Sequence, residues 1–441
     1  MFTAFSTALS ALSADSTAID VVGNNLANLN TTGFKASDVQ FHDLISQSIG
    51  GISQSNQVGM GVGQINAVKN FTQGAIQNTG GATDAAIEGS GFFVVKDAAN
   101  TQLFTRDGAF KLDANGNIVT QTGQNVQGWN ADLTTGTLST NGPVSNLTIP
   151  LTTTIPARAT TTMSMGINLD ASSPVNTSTD AKNPTAGSQF SAPIQVYDSL
   201  GVAHTLTVTF THGGLPGSAT ANPLQWDYSV TIPDADVKTP PATALATGTL
   251  TFDGTGNLPS ANTTPPGTPI PDISLTIPAL ADAASEPTKV SWSLYDKSGN
   301  PTVTQFAEAS GLSNPVQDGY AAGQITKVSF QDGGLVVANF SNGQQLTVGQ
   351  LALASITNPD SLIDVGNNNL QASAATAQAA IGTANSGTRG QIAGGSLESS
   401  TTDIATEFTN LLTFQRSYQA ASRVITTSDQ LLQETVNLIH P

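Results

Sequence analysis

The chain contains no cysteine among its 441 residues. Its stability therefore rests on no disulfide, and thiolate-ligated metal centres are excluded. Positive charge is also scarce: 14 Lys and Arg stand against 31 Asp and Glu, a formal net charge of -17. That balance argues against nucleic acid as a main partner, because phosphate binding needs clustered basic side chains. Charged residues of either sign make up only 10% of the sequence, where an ordinary soluble domain carries about 25%. The surface is therefore expected to be Thr, Ser, Asn, Gln and Gly. Such a surface suits extracellular β structure and dense packing of copies, since few charges have to be desolvated. No apolar run reaches the roughly 18 residues of a membrane span, so no membrane insertion is expected. The opening MFTAFSTALSALSADS lacks the basic n-region of a cleaved signal, the first basic residue being Lys35. Any passage out of the cell is expected to use another route.

Catalytic and ligand-binding patterns are missing as well. There is no G-x-S-x-G elbow and no carboxylate pair of the kind that would identify a glycosidase. Gly59, Gly61 and Gly63 superficially resemble a nucleotide loop, but no Gly-Lys-Ser/Thr follows them. Asp113, Asn115 and Asn117 in DANGN suggest calcium, yet the EF-hand's twelfth-position Glu is absent, and a hairpin turn is the better reading. The four histidines, His42, His204, His212 and His440, are scattered. His204 and His212 flank one predicted strand, and a metal pair would need carboxylates converging there, which spacing does not show. No enzyme activity, cofactor or metal is expected.

Two long apolar stripes are present, one at each end. Residues 2 to 29 place Phe2, Phe5, Leu9, Leu12, Ile19 and Leu26 on a 3-4 spacing, with Ser16 and Gly23 filling the missing positions. This predicts a heptad-like helix. Its remaining faces are Ala, Ser and Thr, with only Asp15 and Asp20 charged, a composition made for packing on several sides. Residues 403 to 439 predict a second helix, with a seam through Ile404, Phe408, Leu411, Gln415, Tyr418, Ser422, Ile425, Asp429, Leu432, Val436 and Ile439. Val424, Leu431 and Leu438 form a stripe beside it, and Ser400 with Asp403 offers a capping pair. Broad apolar faces must be buried. Pairing of the ends with each other and with neighbouring copies does so; a simple intramolecular αα-hairpin or a parallel dimer is the alternative.

Between the ends the period changes to two. GSGFFVV (89 to 95), LFTRDGAFKLDANGNIVT (103 to 120) and GQNVQGW (123 to 129) read as strands broken by Asp-Gly and Asn-Gly turns. A similar run lies at 323 to 354, GQITKVSFQDGGLVVANFSNGQQLTVGQLALA. The intervening stretch has strands of its own and a proline-rich loop, NTTPPGTPIP. The expected organisation is a multi-domain α+β chain. Residues 1-34 with 399-441 form a terminal helical core domain packed like a coiled coil, and 35-80 an extended linking segment. Residues 81-159 with 321-398 form a discontinuous, mainly-β domain, and 160-320 an inserted, outer, mainly-β domain.

ALSALSADSTAIDVVGNNLANLNTTGFK (8 to 35) and LLTFQRSYQAASRVITTSDQLLQETVNL (411 to 438) closely resemble the N- and C-terminal motifs of the bacterial flagellar rod and hook (basal body axial) protein family. The strand-rich 89 to 129 region is also similar to that family's β domain. Rod-type members are commonly shorter, and the 160 to 320 insertion resembles the hook-type layout. The resemblance implies a homopolymer of many copies, a tubular universal joint that carries motor torque from rod to filament. It implies partners at both ends, rod proteins at the base and hook-filament junction proteins and a hook cap at the tip. It also implies delivery by the flagellar export apparatus of the type III class. In this reading Phe5, Leu9, Leu12, Ile19, Val22 and Leu26, with Phe408, Leu411, Tyr418, Ile425, Leu432 and Leu438, make the core-helix polymerisation contacts. Asn28, Asn30, Gly33 and Phe34 mark the exit from the first helix. The alternatives are a distal rod subunit and, from another class, a secreted β-domain adhesin or carbohydrate-binding protein.

Overall fold

The computed structural model describes residues 2–44, 47–48, 57–132, 137–152, 154–178, 180, 183–213, 222–239, 244–260, 268–282, 284 and 288–439. The chain is mostly β, with one long helix at each end: α1 (Phe2–Ala27) and α2 (Ile404–Ile439). No helix among the described residues is long and apolar enough to cross a membrane. Two compact units are present. Unit 1 comprises Met1–Thr152, Ile325–Asn339 and Gln345–Pro441; unit 2 comprises Thr153–Gln324 and Phe340–Gln344.

In unit 1, α1 and α2 pack along each other. The buried residues of α1 are Ala8, Ala14, Asp15, Ala18, Val22 and Asn25. Most lie on a 3-4 spacing that is one position round from the large-residue stripe expected to form the seam. Small residues here let a neighbouring backbone approach closely: the amide of Val62 donates to Ser10 Oγ (3.2 Å). Consequently Phe5 and Leu9 are exposed on the single chain, and Leu12, Ile19 and Leu26 are half-buried. α2 behaves similarly. Leu411, Ile425 and Leu432 are half-buried, while Ile404, Phe408, Leu412, Tyr418, Val424, Leu431 and Val436 are exposed. The side chain of Leu438 lies outside the described residues.

Strands from two distant stretches interleave beside the helices. One sheet path runs through Leu335–Phe340, Gln345–Leu351, Asn125–Asn130, Phe92–Lys96, Gln102–Thr105, Asn369–Gln371 and Ile363–Gly366. The register Gly128↔Leu351 and Trp129↔Gln350 fixes its centre. Its core gathers Phe92, Val94, Phe104, Trp129, Ala352 and Leu370. The 35-80 stretch is more structured than an extended link: Ser37–Gln40 pairs with Asn66–Lys69, and Ile76–Asn78 with Ser396–Glu398.

Unit 2 is a sandwich. One sheet orders Ile273–Ile277, Thr288–Ser293, Thr162–Asp170 and Val303–Phe306, with Gly311–Gln317 also on Thr162–Asp170. The other orders Gln189–Tyr197, Ala203–His212, Gln225–Thr231 and Ala246–Thr251. Alternation sets which face is inside: Met163, Met165, Ile167 and Leu169 point into a core shared with Val208, Phe210, Trp226 and Trp292.

One turn recurs through both units. At Asp113, Asp198, Asp253 and Asp296, Oδ1 accepts the amides of the residues two and four further on. The glycine three residues on is left-handed each time, with φ of 84°, 87°, 81° and 81° at Gly116, Gly201, Gly256 and Gly299. DANGN is thus a hairpin turn joining Phe110–Leu112 to Ile118–Thr120.

Candidate functional site

The candidate site is the junction in unit 1 where the chain leaves α1, enters the sheet region and returns to start α2. α1 ends at Ala27 rather than continuing to residue 29, because Asn28 turns back on it. The Asn28 amide is shared between the carbonyls of Asn24 and Asn25 (3.2 Å each). Its Nδ2 donates to the Asn24 carbonyl at 2.9 Å, so the side chain takes up backbone bonding capacity that another turn of helix would use. Leu29 lies in the turn, half-buried, and Asn30 is exposed there.

The following residues are fixed from several sides. Thr32 Oγ1 donates to Asp107 Oδ1 (2.6 Å), and Asn368 Nδ2 donates to the Thr32 carbonyl (2.8 Å). Gly33 has φ 65°, and its amide donates to the Glu398 carbonyl at 2.8 Å. A Cβ at Gly33 would lie 2.5 Å from the Arg106 carbonyl carbon and 2.7 Å from the Asp107 amide. Both are backbone atoms and cannot swing away. Gly33→Ala is therefore expected to lose at least about 2 kcal/mol of unfolding free energy, since left-handed geometry alone costs an alanine roughly 1–2 kcal/mol. Urea unfolding of the variant checks this. Phe34 is buried, with the Lys69 ammonium 5.9 Å from its ring centroid.

Beneath the turn sits a buried charge cluster. Lys35 Nζ donates to Glu398 Oε1 and to the Thr72 carbonyl, both at 2.6 Å. Arg106 lies 3.2 Å from Glu398 Oε2 and donates from its other terminal nitrogen to the Gly89 carbonyl (2.9 Å). The Gly74 amide also donates to Glu398 Oε1 (2.8 Å). Side-chain exposure is 3% for Lys35, 6% for Arg106 and 0% for Glu398. Burial pushes Lys35 and Arg106 down from their ordinary values, against the pull of Glu398. One carboxylate thus ties the residue after the α1 exit, a sheet-region residue and the approach to α2.

A second tie joins the helices directly. Asn25 Nδ2 donates to Glu407 Oε1 and to the Ser37 carbonyl (2.9 Å each), and its Oδ1 accepts the Ser37 amide (3.0 Å). Thr402 Oγ1 donates to the Asn25 carbonyl (3.2 Å). Asp403 caps α2 by accepting the Thr406 amide at 2.7 Å. Ser400 takes no part in that cap; its hydroxyl accepts the amide of Thr402 (3.2 Å).

Glu407 is buried, and its Oε2 has no hydrogen-bond partner. Burial, above the opposing Asn25 bond, raises its pKa from the ordinary carboxylate value. A raised folded pKa means that the folded chain holds this proton where the unfolded chain has lost it. Stability is therefore lost as pH rises from the unfolded value, about 4.3, through the folded one. Glu407→Gln should remove that loss, so its advantage over the parent should grow between pH 4 and 7. Parallel pH-stability curves would contradict this.

Asn28, Gly33 and Phe34 thus meet at the junction, while the polymerisation residues expected from sequence run along the helices away from it. Sequence reading missed Asn25, Lys35, Arg106, Glu398 and Glu407. A usable signal existed for one of them: in a chain with so few basic residues, Lys35 is the first, and no charged residue lies within two positions of it.

Four domain families match in order along the chain. They are "Flagella basal body rod protein" over 5–35, "Flagellar hook protein FlgE/F/G D1 domain" over 86–170, "Flagellar basal body protein FlaE D2 domain" over 168–320, and "Flagellar basal body rod FlgEFG protein C-terminal" over 393–438. The flagellar hook protein FlgE of Treponema pallidum is 34% identical, over 96% of each chain. That of Escherichia coli is 33% identical over 99% of this chain and 100% of its own. That of Salmonella typhimurium is 33% identical over 98% and 99%. The chain belongs to the flagellar rod and hook family of axial proteins. Within it, the chain is a structural subunit of the flagellar hook, part of the polymeric assembly of the flagellum that includes the rod.

Proposed function

We propose that copies of this chain polymerise through α1 and α2 into a flexible tube that acts as a universal joint, passing torque from rod to filament. The observation that carries this reading is the pair of apolar stripes left uncovered when the helices pack. Phe5 and Leu9 on α1 and Phe408, Leu412, Val424, Leu431 and Val436 on α2 are exposed on the single chain. Two helices of one chain cannot cover both stripes, whereas neighbouring copies presenting the same faces can. The helices then form a coiled-coil-like inner layer, with the β regions of 81-159 with 321-398 and of 160-320 outside it. Phe5, Leu9, Leu12, Ile19, Val22, Leu26, Phe408, Leu411, Tyr418, Ile425, Leu432 and Leu438 supply the inner contacts. Asn28, Asn30, Gly33 and Phe34 hand the chain outward.

Bending falls to the β regions. Polar contacts exchange partners at a modest net cost, about 1 kcal/mol each. Parting helix stripes exposes apolar area at about 25 cal/mol per Å². In this proposal the subunit is extracellular, exported without a cleaved signal peptide by the flagellar export apparatus, and has no catalytic role. It meets rod proteins at the base and the junction proteins and cap at the tip. Negative-stain microscopy of the full chain beside a variant lacking both terminal helices tests it. Tubes from the full chain alone are expected; tubes from both, or from neither under assembly conditions, would overturn it.

A further inference from the structure

We infer that unit 2 holds a binding site for a divalent transition cation of the zinc class, formed by Asp198, His204 and Asp282. His204 is 6% exposed, on the strand Ala203–His212. Its Nε2 lies 3.5 Å from Asp198 Oδ2 and 3.6 Å from Asp282 Oδ2. Two ligands, each about 2.1 Å from one tetrahedral ion, sit about 3.4 Å apart, so one ion fits between these atoms. Nδ1, the other ring nitrogen, is 3.3 Å from Asp236 Oδ2, yet the angle makes no hydrogen bond and this buried atom has no partner. A small rotation of the Asp236 carboxylate would let Nδ1–H donate to it. That is the usual outer support of a ligating histidine, and it leaves the Nε2 lone pair aimed between two carboxylates. Without an ion, Nε2 is hydrogen-bonded to Asp198 Oδ2 (3.5 Å); once that proton is displaced, a cation turns all three groups into ligands.

The carboxylates are set for this. Asp282 Oδ1 accepts the Ala284 amide (3.1 Å), and Asp198 Oδ1 accepts the amides of Leu200 and Val202 (2.9 and 2.8 Å), so each presents Oδ2. In two of the three equivalent turns, Asp113 Oδ2 and Asp296 Oδ2 are taken by the side chains of Asn117 and Asn300; in the third, Asn257 Nδ2 donates to Thr255 Oγ1 instead. Val202 stands in the place of that asparagine and cannot donate. Backbone bonds from Lys238 to Ala279 and from Ala281 to Asp236 (2.9 Å each) bring the remaining loops together. Among the described residues none of Asp198, Asp236 and Asp282 pairs with a lysine or arginine. His212 shows the contrasting, satisfied state: Nδ1 is 2.9 Å from the Ser173 hydroxyl, which donates to it, and Nε2–H donates to the Pro223 carbonyl at 2.9 Å.

The test is isothermal titration of Zn(II) into tag-free, chelator-stripped full-length protein, with Co(II) absorption as a second readout. One saturable ion per chain is expected, and Co(II) should give d–d bands of tetrahedral intensity. Asp282→Asn and His204→Gln, checked for folding by near-UV circular dichroism, should each weaken binding at least about tenfold. Asp236→Asn should weaken it about 10–100-fold through His204, and Asp296→Asn, in the same kind of turn without a histidine, should change nothing. Absence of saturable binding by the parent would overturn the site. Binding that persists equally in Asp282→Asn and His204→Gln would overturn it too.

Discussion

A Phe408→Asp subunit is expected to fold normally and to form no tubes. Phe408 is 52% exposed on the single chain, so about half of its side chain remains to be buried on assembly. Burying a whole phenylalanine is worth about 1.5–3 kcal/mol, and the remaining half about 1 kcal/mol. Truncation to alanine alone should therefore raise the critical concentration only about fivefold. Aspartate adds the desolvation of an unpaired carboxylate, several kcal/mol per copy, and should raise it by more than about 100-fold. Thermal unfolding of the unassembled variant should fall by no more than about 2–4 °C, because only about half of the side chain is covered in the single chain. Sedimentation and microscopy of the assembled fraction check the first part, and a melting curve the second. Tubes at the parent's critical concentration would show that this face of α2 is not an assembly surface.

Glu398→Gln is expected to act in the opposite way, on the subunit itself. Among the described residues Glu398 is the single carboxylate touching both Lys35 and Arg106, with no side-chain exposure. The amide oxygen can still accept hydrogen bonds, but two buried cations would be left without a counter-charge. Breaking a buried pair typically costs about 3–5 kcal/mol, a large share of a stability of about 5–15 kcal/mol. Lys35→Met should be distinctly milder. It leaves Arg106 and Glu398 as a balanced pair, and Met replaces an ammonium whose charge burial already disfavours. Denaturant unfolding of both variants decides between a charge effect and mere loss of packing. Equal losses, or a larger loss for Lys35→Met, would contradict the account.

Helix existence was legible because a 3-4 spacing is carried by the residues themselves. Which face is buried was not. Phe5, Leu9 and Leu12 advertise the strongest stripe, yet the structure turns Ala8, Asp15, Ala18, Val22 and Asn25 inward. Close approach of a neighbouring backbone favours small side chains over large ones, and hydrophobicity alone ranks them the other way. The end of α1 was read through its asparagines and Gly33, whose φ of 65° is a local property. The Lys35–Glu398 bond, by contrast, joins residues 363 apart. Nothing in either local sequence announces the other. The same holds for His204, whose carboxylates arrive from loops near residues 198, 236 and 282. Local chemistry is written in windows of a few residues, while sites assembled by a sheet topology are not.

Cryo-microscopy of a curved tube, with the subunits around one turn refined separately, tests most directly the proposal that helices hold the tube while β contacts slide. Distances between the α1–α2 pairs of neighbouring subunits should stay nearly constant from the inner to the outer side of the bend, while contacts between their β regions change. Helix spacings that vary more than the β contacts would contradict it.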